Sequence, residues 1–422
     1  METNKTVSFL SLGCRVNQYE IQSLREQFTR AGFCEVPFGE KCDLCIINTC
    51  AVTKESEKKS RNAFSRAKKC ADKVFLTGCY AELCRKNGVL PQGAFYVGGC
   101  SGRDGILSVC LGEEKEYKEK TAYEPLSIGT TGELPNERYR SYVKIEDGCN
   151  GRCSYCVIPK LRGKPFNRPE ADILEEIRRL TASGVSEIIL TGIEVSDYGS
   201  RALCRLIEKA ALIEGVRRIR TGSLNPNTVT PAFIETIKNT DPFCKHLHLS
   251  VQSGSDEVLK AMRRPYGAKK LYQVIDSIYA ALPQILITAD IISGFPGETD
   301  AQFEETLGFI KYARFSHVHA FPYSPRPFTE AACMPCQVEE SVKRERNARV
   351  IAAAEENKAC IARGLLGTDQ TVLVEKYASR RSYGHTEGFL EASLGTRRNA
   401  GEYVRCRVTG YDGKLICEAV ND

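Results

Sequence analysis

EDGCNGRCSYCVIPK, residues 146–160, is the stretch from which the rest of this chain is read. Its Cys149, Cys153 and Cys156 stand three and then two residues apart, which sets three soft thiolates in one short loop able to wrap a corner of an iron-sulfur cluster. A four-iron cubane ordinarily takes four cysteine ligands, so such a loop leaves one iron bare and free to bind a small molecule. An open position of this kind also separates catalytic from structural zinc sites. The bland alternative is a structural zinc loop. Zinc motifs, however, pair one CxxC with a second Cys or His pair, and the five histidines include no HxxxH at that spacing.

Working outward, short apolar runs at 142–145, 187–190, 217–220, 245–251, 287–292 and 318–321 each precede a segment of helical spacing. Strands alternating with helices imply a parallel sheet. Six units are fewer than the eight of a closed barrel, so a partial barrel is expected, with a lateral opening that suits a macromolecular substrate. The cysteine loop follows the first strand, at the carboxyl mouth where barrels place their chemistry. Thr191, Gly192, Ile193 and Glu194 follow the second strand, Gln252, Ser253 and Gly254 the fourth, and Gly294, Phe295, Pro296, Gly297, Glu298 and Thr299 the fifth.

The N-terminal region repeats this grammar. Runs at 7–12, 44–48 and 74–77 lead into Cys14, Cys50 and Cys79, each followed by a helix. Ligands gather outside the carboxyl ends of parallel strands, so these three thiols converge at one edge as a candidate second cluster site, with packed thiols as the alternative. Cys100, after an apparent strand at 94–97, is a rival that pattern alone leaves open, ranked below the other three. Cys34, Cys42, Cys45, Cys70 and Cys84 read as packed thiols. The helix at 54–69 carries seven Lys and Arg against Glu55 and Glu57; most such faces are only solvated, but this one leaves the strand that delivers Cys50 and is a candidate phosphate-backbone contact.

At 422 residues the chain exceeds one ordinary core and suggests two or three domains. Its 42% apolar and 27% charged content is that of a globular protein. Twenty cysteines would be extraordinary as disulfides in a reducing compartment, and METNKTVSFLSLGCRVNQ has neither a long apolar core nor a cleavage site, so reduced thiols and a cytoplasmic location are expected. No apolar run approaches a membrane span. The net charge of +6 is mild, so nucleic-acid binding has to come from local patches.

The CxxxCxxC loop, with Tyr155 before its third cysteine, resembles the radical S-adenosylmethionine (SAM) signature, in which the amino and carboxylate groups of SAM chelate the open iron. SLGCRVNQYE (11–20), INTCAVT (47–53), TGCYAE (77–82), HLHLSVQSGSDEVLKAM (246–262), GFPGET (294–299) and FPYSPRP (321–327) together resemble the methylthiotransferases, most closely those acting on threonylcarbamoyladenosine in tRNA. The resemblance runs over nearly the whole chain. It implies two [4Fe-4S] clusters, one on Cys149, Cys153 and Cys156 and one on Cys14, Cys50 and Cys79. It also implies a SAM pocket built from Gly192, Glu194, Gln252, Ser253, Gly254, Gly294, Phe295, Pro296 and Gly297. A zwitterionic, planar ligand needs the close backbone approach and apolar face that glycine-rich strand ends supply. The implied partners are the tRNA anticodon stem-loop and a reducing donor such as flavodoxin or ferredoxin. The implied reaction puts a methylthio group on carbon 2 of the modified adenine, whose hydrogen no acid, base or nucleophile removes, so the chemistry is radical and belongs to the cofactor. Sister enzymes acting on isopentenyladenosine or on a ribosomal-protein aspartate are the nearest rivals; GCRVNQYE and HLHLSVQSGS favour the threonylcarbamoyl branch. A non-catalytic RNA-binding iron-sulfur protein is the rival from another class, and the open-iron loop and intact GFPGET speak against it.

After a long helix at about 337–363, alternating segments such as QTVLVEKY (370–377) and YVRCRVTGY (403–411) fit a small antiparallel barrel. Arg380, Arg381, Arg397, Arg398, Arg405 and Arg407, interleaved with Tyr383, His385, Phe389 and Tyr403, form the mixture expected of an RNA-binding surface, although eight basic and eight acidic residues balance from Gly367 onward. GHTEGF (384–389) resembles the TRAM module. The expected fold class is α/β: an N-terminal parallel α/β domain (1–134), a central partial (βα)6 radical SAM barrel (135–365) and a small TRAM-like antiparallel barrel (366–422). Cys333 and Cys336 form an isolated CxxC that reads as structural, and Cys204, Cys244, Cys360, Cys406 and Cys417 read as core. The chain departs from the family pattern at IPKLRGK (158–164), where IPYARGR is usual, and at Phe328 and Cys336, where glycine is usual.

Overall fold

The structure, a computed structural model, describes residues 5–100, 102, 103, 105–112 and 139–420; the expected boundary at 134 lies outside them. Five parallel strands open the chain: β1 (Thr6–Ser11), β2 (Cys34–Glu35), β3 (Cys42–Thr49), β4 (Ala71–Gly78) and β5 (Tyr96–Gly99), in the order β2-β1-β3-β4-β5. They are interleaved with α1 (Arg15–Arg30), α2 (Lys54–Ala67), α3 (Cys79–Lys86) and α4 (Ile106–Cys110). Both faces of β3 are covered, which is why it reads as an unbroken apolar run. Leu44 and Ile46 pack with Leu24 and Phe28 of α1, while Cys45 and Ile47 pack with Ala63 and Phe64 of α2. Thr53 caps α2 by accepting from the Ser56 amide, and the helix stops at Ala67, two residues before the expected end.

The central region contains β6 (Arg140–Lys144), a short antiparallel pair of β7 (Glu146–Asp147) with β8 (Phe166–Asn167), and then β9 (Glu187–Thr191), β10 (Arg218–Thr221), β11 (His246–Gln252), β12 (Leu286–Ser293) and β13 (His317–Pro322). Parallel pairing joins β6-β9-β10 and β11-β12-β13. The halves meet where the Leu224 amide donates to the His248 carbonyl and the Ser250 amide to the Leu224 carbonyl, both at 2.9 Å. The six expected strands are therefore present within one or two residues and form an open barrel. Helices α5 (Ile158–Arg162), α6 (Glu170–Ala182), α7 (Ser200–Ala211), α8 (Pro231–Asn239), α9 (Asp256–Ala261), α10 (Ala268–Ala281), α11 (Asp300–Ala313) and α12 (Glu340–Gly364) accompany them. Alternate strand residues such as Ile188, Leu190, Ile219, Leu247, Ile287 and Val318 form one core with the outer helices, and the intervening positions line a polar lumen.

The C-terminal strands β14 (Asp369–Ala378), β15 (Arg381–Thr386), β16 (Glu391–Leu394), β17 (Tyr403–Tyr411) and β18 (Leu415–Ala419) close into a barrel in the order β14-β15-β16-β18-β17. It is not wholly antiparallel, because β16 and β18 run parallel. This barrel plugs the amino end of the central one. Arg218 donates to the Thr371 and His385 carbonyls at 2.6 and 3.2 Å, and Arg220 to the Glu387 and Thr386 carbonyls at 2.7 and 3.1 Å. Phe389 stacks on His385 and lies beside His246, Arg140 and Arg220, while Tyr403 bonds Ser186 and lies beneath Arg217. His385, Phe389 and Tyr403 are thus interdomain contacts, which corrects their expected place on an RNA-binding surface. Arg405 and Arg407 both pair with Asp369. Arg380 and Arg397 stay exposed.

Cys34 and Cys360 are exposed and not packed as expected, whereas Cys42, Cys45, Cys84, Cys244, Cys406 and Cys417 are buried. Phe328 and Cys336, the two positions where glycine is usual, have φ of 65° and 56°, the left-handed region that explains that preference. No helix among the described residues is long and apolar enough to cross a membrane.

Candidate active site

The central cysteine loop is held by its own backbone. The Cys149 amide donates to the Gly163 carbonyl and the Cys156 amide to the Cys153 carbonyl, both at 3.1 Å. Ser154 pins the loop to the end of α9, its amide on the Met262 carbonyl at 3.1 Å and its hydroxyl on the Ala261 carbonyl at 2.8 Å. A side chain at Gly151 would crowd the loop, since a Cβ there would lie 3.0 Å from the Cys149 sulfur and 3.8 Å from that of Cys153. Arg264 donates to the Cys153 sulfur at 3.3 Å. Burial pushes the Cys149 and Cys156 thiols up to about 12, so they keep their protons until a cation displaces them.

The mouth around this loop is built from the predicted strand ends. A Cβ on Gly192 would come within 2.6 Å of the Glu146 carboxylate, whose Oε2 accepts from the Glu194 amide at 2.9 Å. Glu146 itself gave no signal beyond an acid set before the cysteine loop. Its other oxygen is buried without a hydrogen-bond partner among the described residues, and burial raises its pKa to about 8. Gln252 ends β11 with φ of 72°. The next two residues turn away: the Ser253 hydroxyl and the Gly254 amide both contact the Thr306 hydroxyl, at 3.1 and 3.0 Å, and a Cβ on Gly254 would strike Phe309. Gly294 has φ of 72° and gives its amide to Glu298, which Arg346 holds. Phe295 is fully buried in a cluster with Met262 and Tyr323, against which Tyr155 of the cysteine loop packs. Pro296 is buried beside it, and the Gly297 amide donates to the Cys336 carbonyl at 2.9 Å.

The three N-terminal cysteines follow β1, β3 and β4, which are neighbours in the sheet. Side chains tie these strand ends together. Asn17 donates to the Leu12 and Thr49 carbonyls, Thr49 to the Thr77 carbonyl at 2.6 Å, and Thr77 to the Gly99 carbonyl at 2.7 Å. Two glycines permit the approach. A Cβ on Gly13 would lie 2.7 Å from the Cys50 sulfur, and one on Gly78 would lie 2.2 Å from Asn48 Oδ1. Burial raises the Cys50 thiol and takes that of Cys14 to about 11. Cys79 is drawn down to about 6, first by a hydrogen bond from Cys100 and then by Arg162. The rival Cys100, after β5, is buried in the same cluster as Cys79.

Arg162 joins the two regions. It sits on α5, just past the central loop, and donates to the Cys79 sulfur at 3.4 Å, to Glu20 at 2.9 Å, to Asp147 at 3.0 Å and to Asn17 at 2.7 Å. Lys144 and Arg103 also pair with Glu20. Val157 and Leu161 pack in one apolar cluster with Cys79, Leu83 and Cys100, so Leu161, one of the departures, is a buried interdomain contact, while Lys160 is exposed. Cys79 and Cys156 lie close enough for each charge to act on the other. Sequence reasoning missed Arg162, whose only signal was its place in the loop after the cysteines.

A partial parallel barrel carrying CxxxCxxC at the carboxyl end of its first strand defines a radical SAM enzyme, a class that works with SAM and a [4Fe-4S] cluster. Residues 143–310 match the Radical SAM superfamily, and residues 6–94 match the Uncharacterized protein family UPF0004. The chain is 37% identical to threonylcarbamoyladenosine tRNA methylthiotransferase MtaB of Bacillus subtilis over 83% of this chain and 80% of that one. It is 34% identical to the Thermotoga maritima protein of the same name, over 98% and 97%, and 33% identical to tRNA-2-methylthio-N(6)-dimethylallyladenosine synthase 1 of Mycobacterium marinum, over 98% and 82%. The chain belongs to the radical SAM tRNA methylthiotransferase family. Among solved structures, the radical SAM methyltransferase TsrM of Kitasatospora setae shares the fold at a TM-score of 0.55 and 14% identity, over 78% of this chain and 77% of that one.

Proposed function

We propose that this protein attaches a methylthio group to carbon 2 of N6-threonylcarbamoyladenosine beside the anticodon of tRNA; the B. subtilis and T. maritima relatives are named as threonylcarbamoyladenosine tRNA methylthiotransferases. The observation that carries the reading is the convergence of two cysteine triads on one interface, bridged by Arg162. Cys149, Cys153 and Cys156 would hold one [4Fe-4S] cluster, and Cys14, Cys50 and Cys79 a second. The donor set fits: each triad supplies three thiols around a glycine-lined space, and each has one guanidinium donating to a cysteine sulfur, as thiolate ligands favour. Cys100 packs in the same apolar cluster as Cys79, and we rank it below the other three as a ligand. When bound, the cofactors supply a SAM-derived radical that removes the carbon 2 hydrogen, a sulfur at the second cluster and a methyl group from a further SAM.

The chain's own residues bind, orient and keep water out. Gly192 and Gly294 give backbone access, Glu146, Glu194 and Gln252 offer polar atoms to the amino acid end of SAM, and Phe295 with Pro296 forms the apolar floor. Ser253 and Gly254 hold Gln252 in its turn by packing on α11. We assign 1–134 to the second cluster, 135–365 to the SAM barrel and 366–422 to RNA contact, the last through Arg380 and Arg397, with the exposed lysines of α2 as a further phosphate contact. A flavodoxin- or ferredoxin-type donor in the cytoplasm would supply electrons.

The test is anaerobic incubation of the reconstituted protein with SAM, reductant and an anticodon stem-loop carrying the modified base. Mass spectrometry is expected to show a nucleoside gaining one methylthio group in place of hydrogen. Deoxyadenosine without that product after many turnovers sinks the reading.

A further inference from the structure

Arg15 directly follows Cys14 and opens α1, and the chemistry proposed above gives it no part. Helix α1 lies against β6, so Arg15 stands at the lateral opening of the barrel and its charge reaches the lumen. Tyr142, Arg220, Asp290 and Arg140 act on it, and it acts in turn on His246 and His319. It is half-buried, and its guanidinium makes no hydrogen bond or ion pair with any described residue. The other cations of this lumen are engaged. Arg220 pairs with Glu187 at 2.9 Å, Arg140 with Glu187 and Glu375 at 2.7 and 2.9 Å, and Lys144 with Glu20 and Asp147 at 2.9 and 2.7 Å. The acid whose charge acts on Arg15 is engaged as well: Asp290 Oδ2 meets His248 Nε2 at 3.1 Å and the Ser223 hydroxyl at 3.4 Å. A half-buried guanidinium left without a partner amid satisfied neighbours is the unfilled half of a pair.

We infer that Arg15 receives the carboxylate of the threonyl group on the target adenine, with Asp290 and His319 flanking the ureido and hydroxyl groups of that substituent. The inference rests on the threonylcarbamoyl reading and names the residues that enforce it. Arg15 adjoins the second triad, where carbon 2 has to be presented. The exocyclic nitrogen is carried by carbon 6, separated from carbon 2 by one ring nitrogen, so a substituent on it stays within reach of the residues beside that junction and can extend into the lumen. Guanidinium and carboxylate match in a two-point, charge-assisted contact. His319, lowered from its ordinary value by partial desolvation and by the neighbouring His248, is neutral near pH 7 and does not compete as a second cation. A dimethylallyl group would strip water from Arg15, Asp290 and His319 and pair none of them, so the same residues separate the two substrate branches represented among the relatives.

Binding of the full-length reconstituted protein to three anticodon stem-loops tests this by fluorescence anisotropy: one with threonylcarbamoyladenosine, one with the methyl ester of its carboxylate, and one with dimethylallyladenosine. The wild type is expected to bind the free acid about 10- to 100-fold more tightly than the ester. Arg15→Gln should bring the acid down to the affinity of the ester, Arg15→Lys should restore part of the difference, and iron content checks that each variant is assembled. Equal wild-type binding of acid and ester, or full preference retained by Arg15→Gln, overturns the inference; the ester comparison needs no variant, so a misfolded one leaves the question decided. Preference for the acid without methylthiolation of that RNA sinks the proposed reaction and leaves the Arg15 site standing.

Discussion

The two cysteine triads, proposed above as cluster sites, would solve one ligation problem in opposite ways. Cys149, Cys153 and Cys156 lie within eight consecutive residues, and hydrogen bonds inside and beside the loop fix their spacing. Cys14, Cys50 and Cys79 lie far apart in sequence and meet only because β1, β3 and β4 pair in a definite register, with Leu10 opposite Ile47 and Ile47 opposite Leu76. A local site is insured against distortion of the sheet, whereas a distributed site reports on it. Each nevertheless has a guanidinium on one sulfur, from Arg264 in the first case and Arg162 in the second.

The largest expected effect separates the triads by function. Cys153→Ala should abolish SAM cleavage and with it every product. Cys50→Ala should leave deoxyadenosine formation measurable while removing the methylthiolated nucleoside; full product from that variant breaks the division of labour. A backbone change should separate them by architecture. Gly78 has φ of 86°, and a Cβ there would lie 2.5 Å from the Thr49 carbonyl and 2.2 Å from Asn48 Oδ1. Gly78→Val should therefore displace the end of β4, lowering iron content from about eight to about four atoms per chain while the loop-borne cluster persists. Retention of both clusters would show that the strand end tolerates the shift.

This contrast also explains what was legible beforehand. The central loop declares itself because its cysteines are neighbours in sequence, and the strand-end cysteines because a repeated strand-cysteine-helix grammar says where parallel strands deliver their carboxyl ends. Arg162 and Glu146 were not legible. Arg162 serves residues of the N-terminal sheet from a segment more than 80 positions beyond Cys79, and no local pattern records such a contact. The role of His385, Phe389 and Tyr403 was misread for a related reason. An aromatic-basic mixture looks the same whether it faces RNA or the arginines of another domain, and only the docking of β15 and β17 against Arg218 and Arg220 decides.

Smaller effects should sharpen the comparison between the two arginines. Arg162→Met withdraws one of the cations around the buried Glu20 and the donor to Cys79, so metal-free protein should lose about 3 kcal/mol in denaturant unfolding. Arg264→Met loses bonds to Tyr266, Ser250 and Cys153, with no carboxylate among these partners, and should cost about 1–2 kcal/mol. The reverse order of costs would show that Lys144 and Arg103 alone suffice for Glu20.

The subtlest effect concerns Glu146, beside the local triad. Its native pKa of about 8 lies above the usual 4.5 because burial disfavours the carboxylate. Between these values the native state keeps a proton that the unfolded chain has released, so the contribution of this group to stability is whole below pH 4.5 and lost as pH rises through about 8. Glu146→Gln keeps an acceptor for the Glu194 amide and removes the ionisation. Metal-free wild type should thus lose more stability than the variant between pH 5 and pH 8, by on the order of 2 kcal/mol. Parallel pH profiles for the two proteins would mean that the buried oxygen of Glu146 is satisfied by water and is not held in reserve for a ligand.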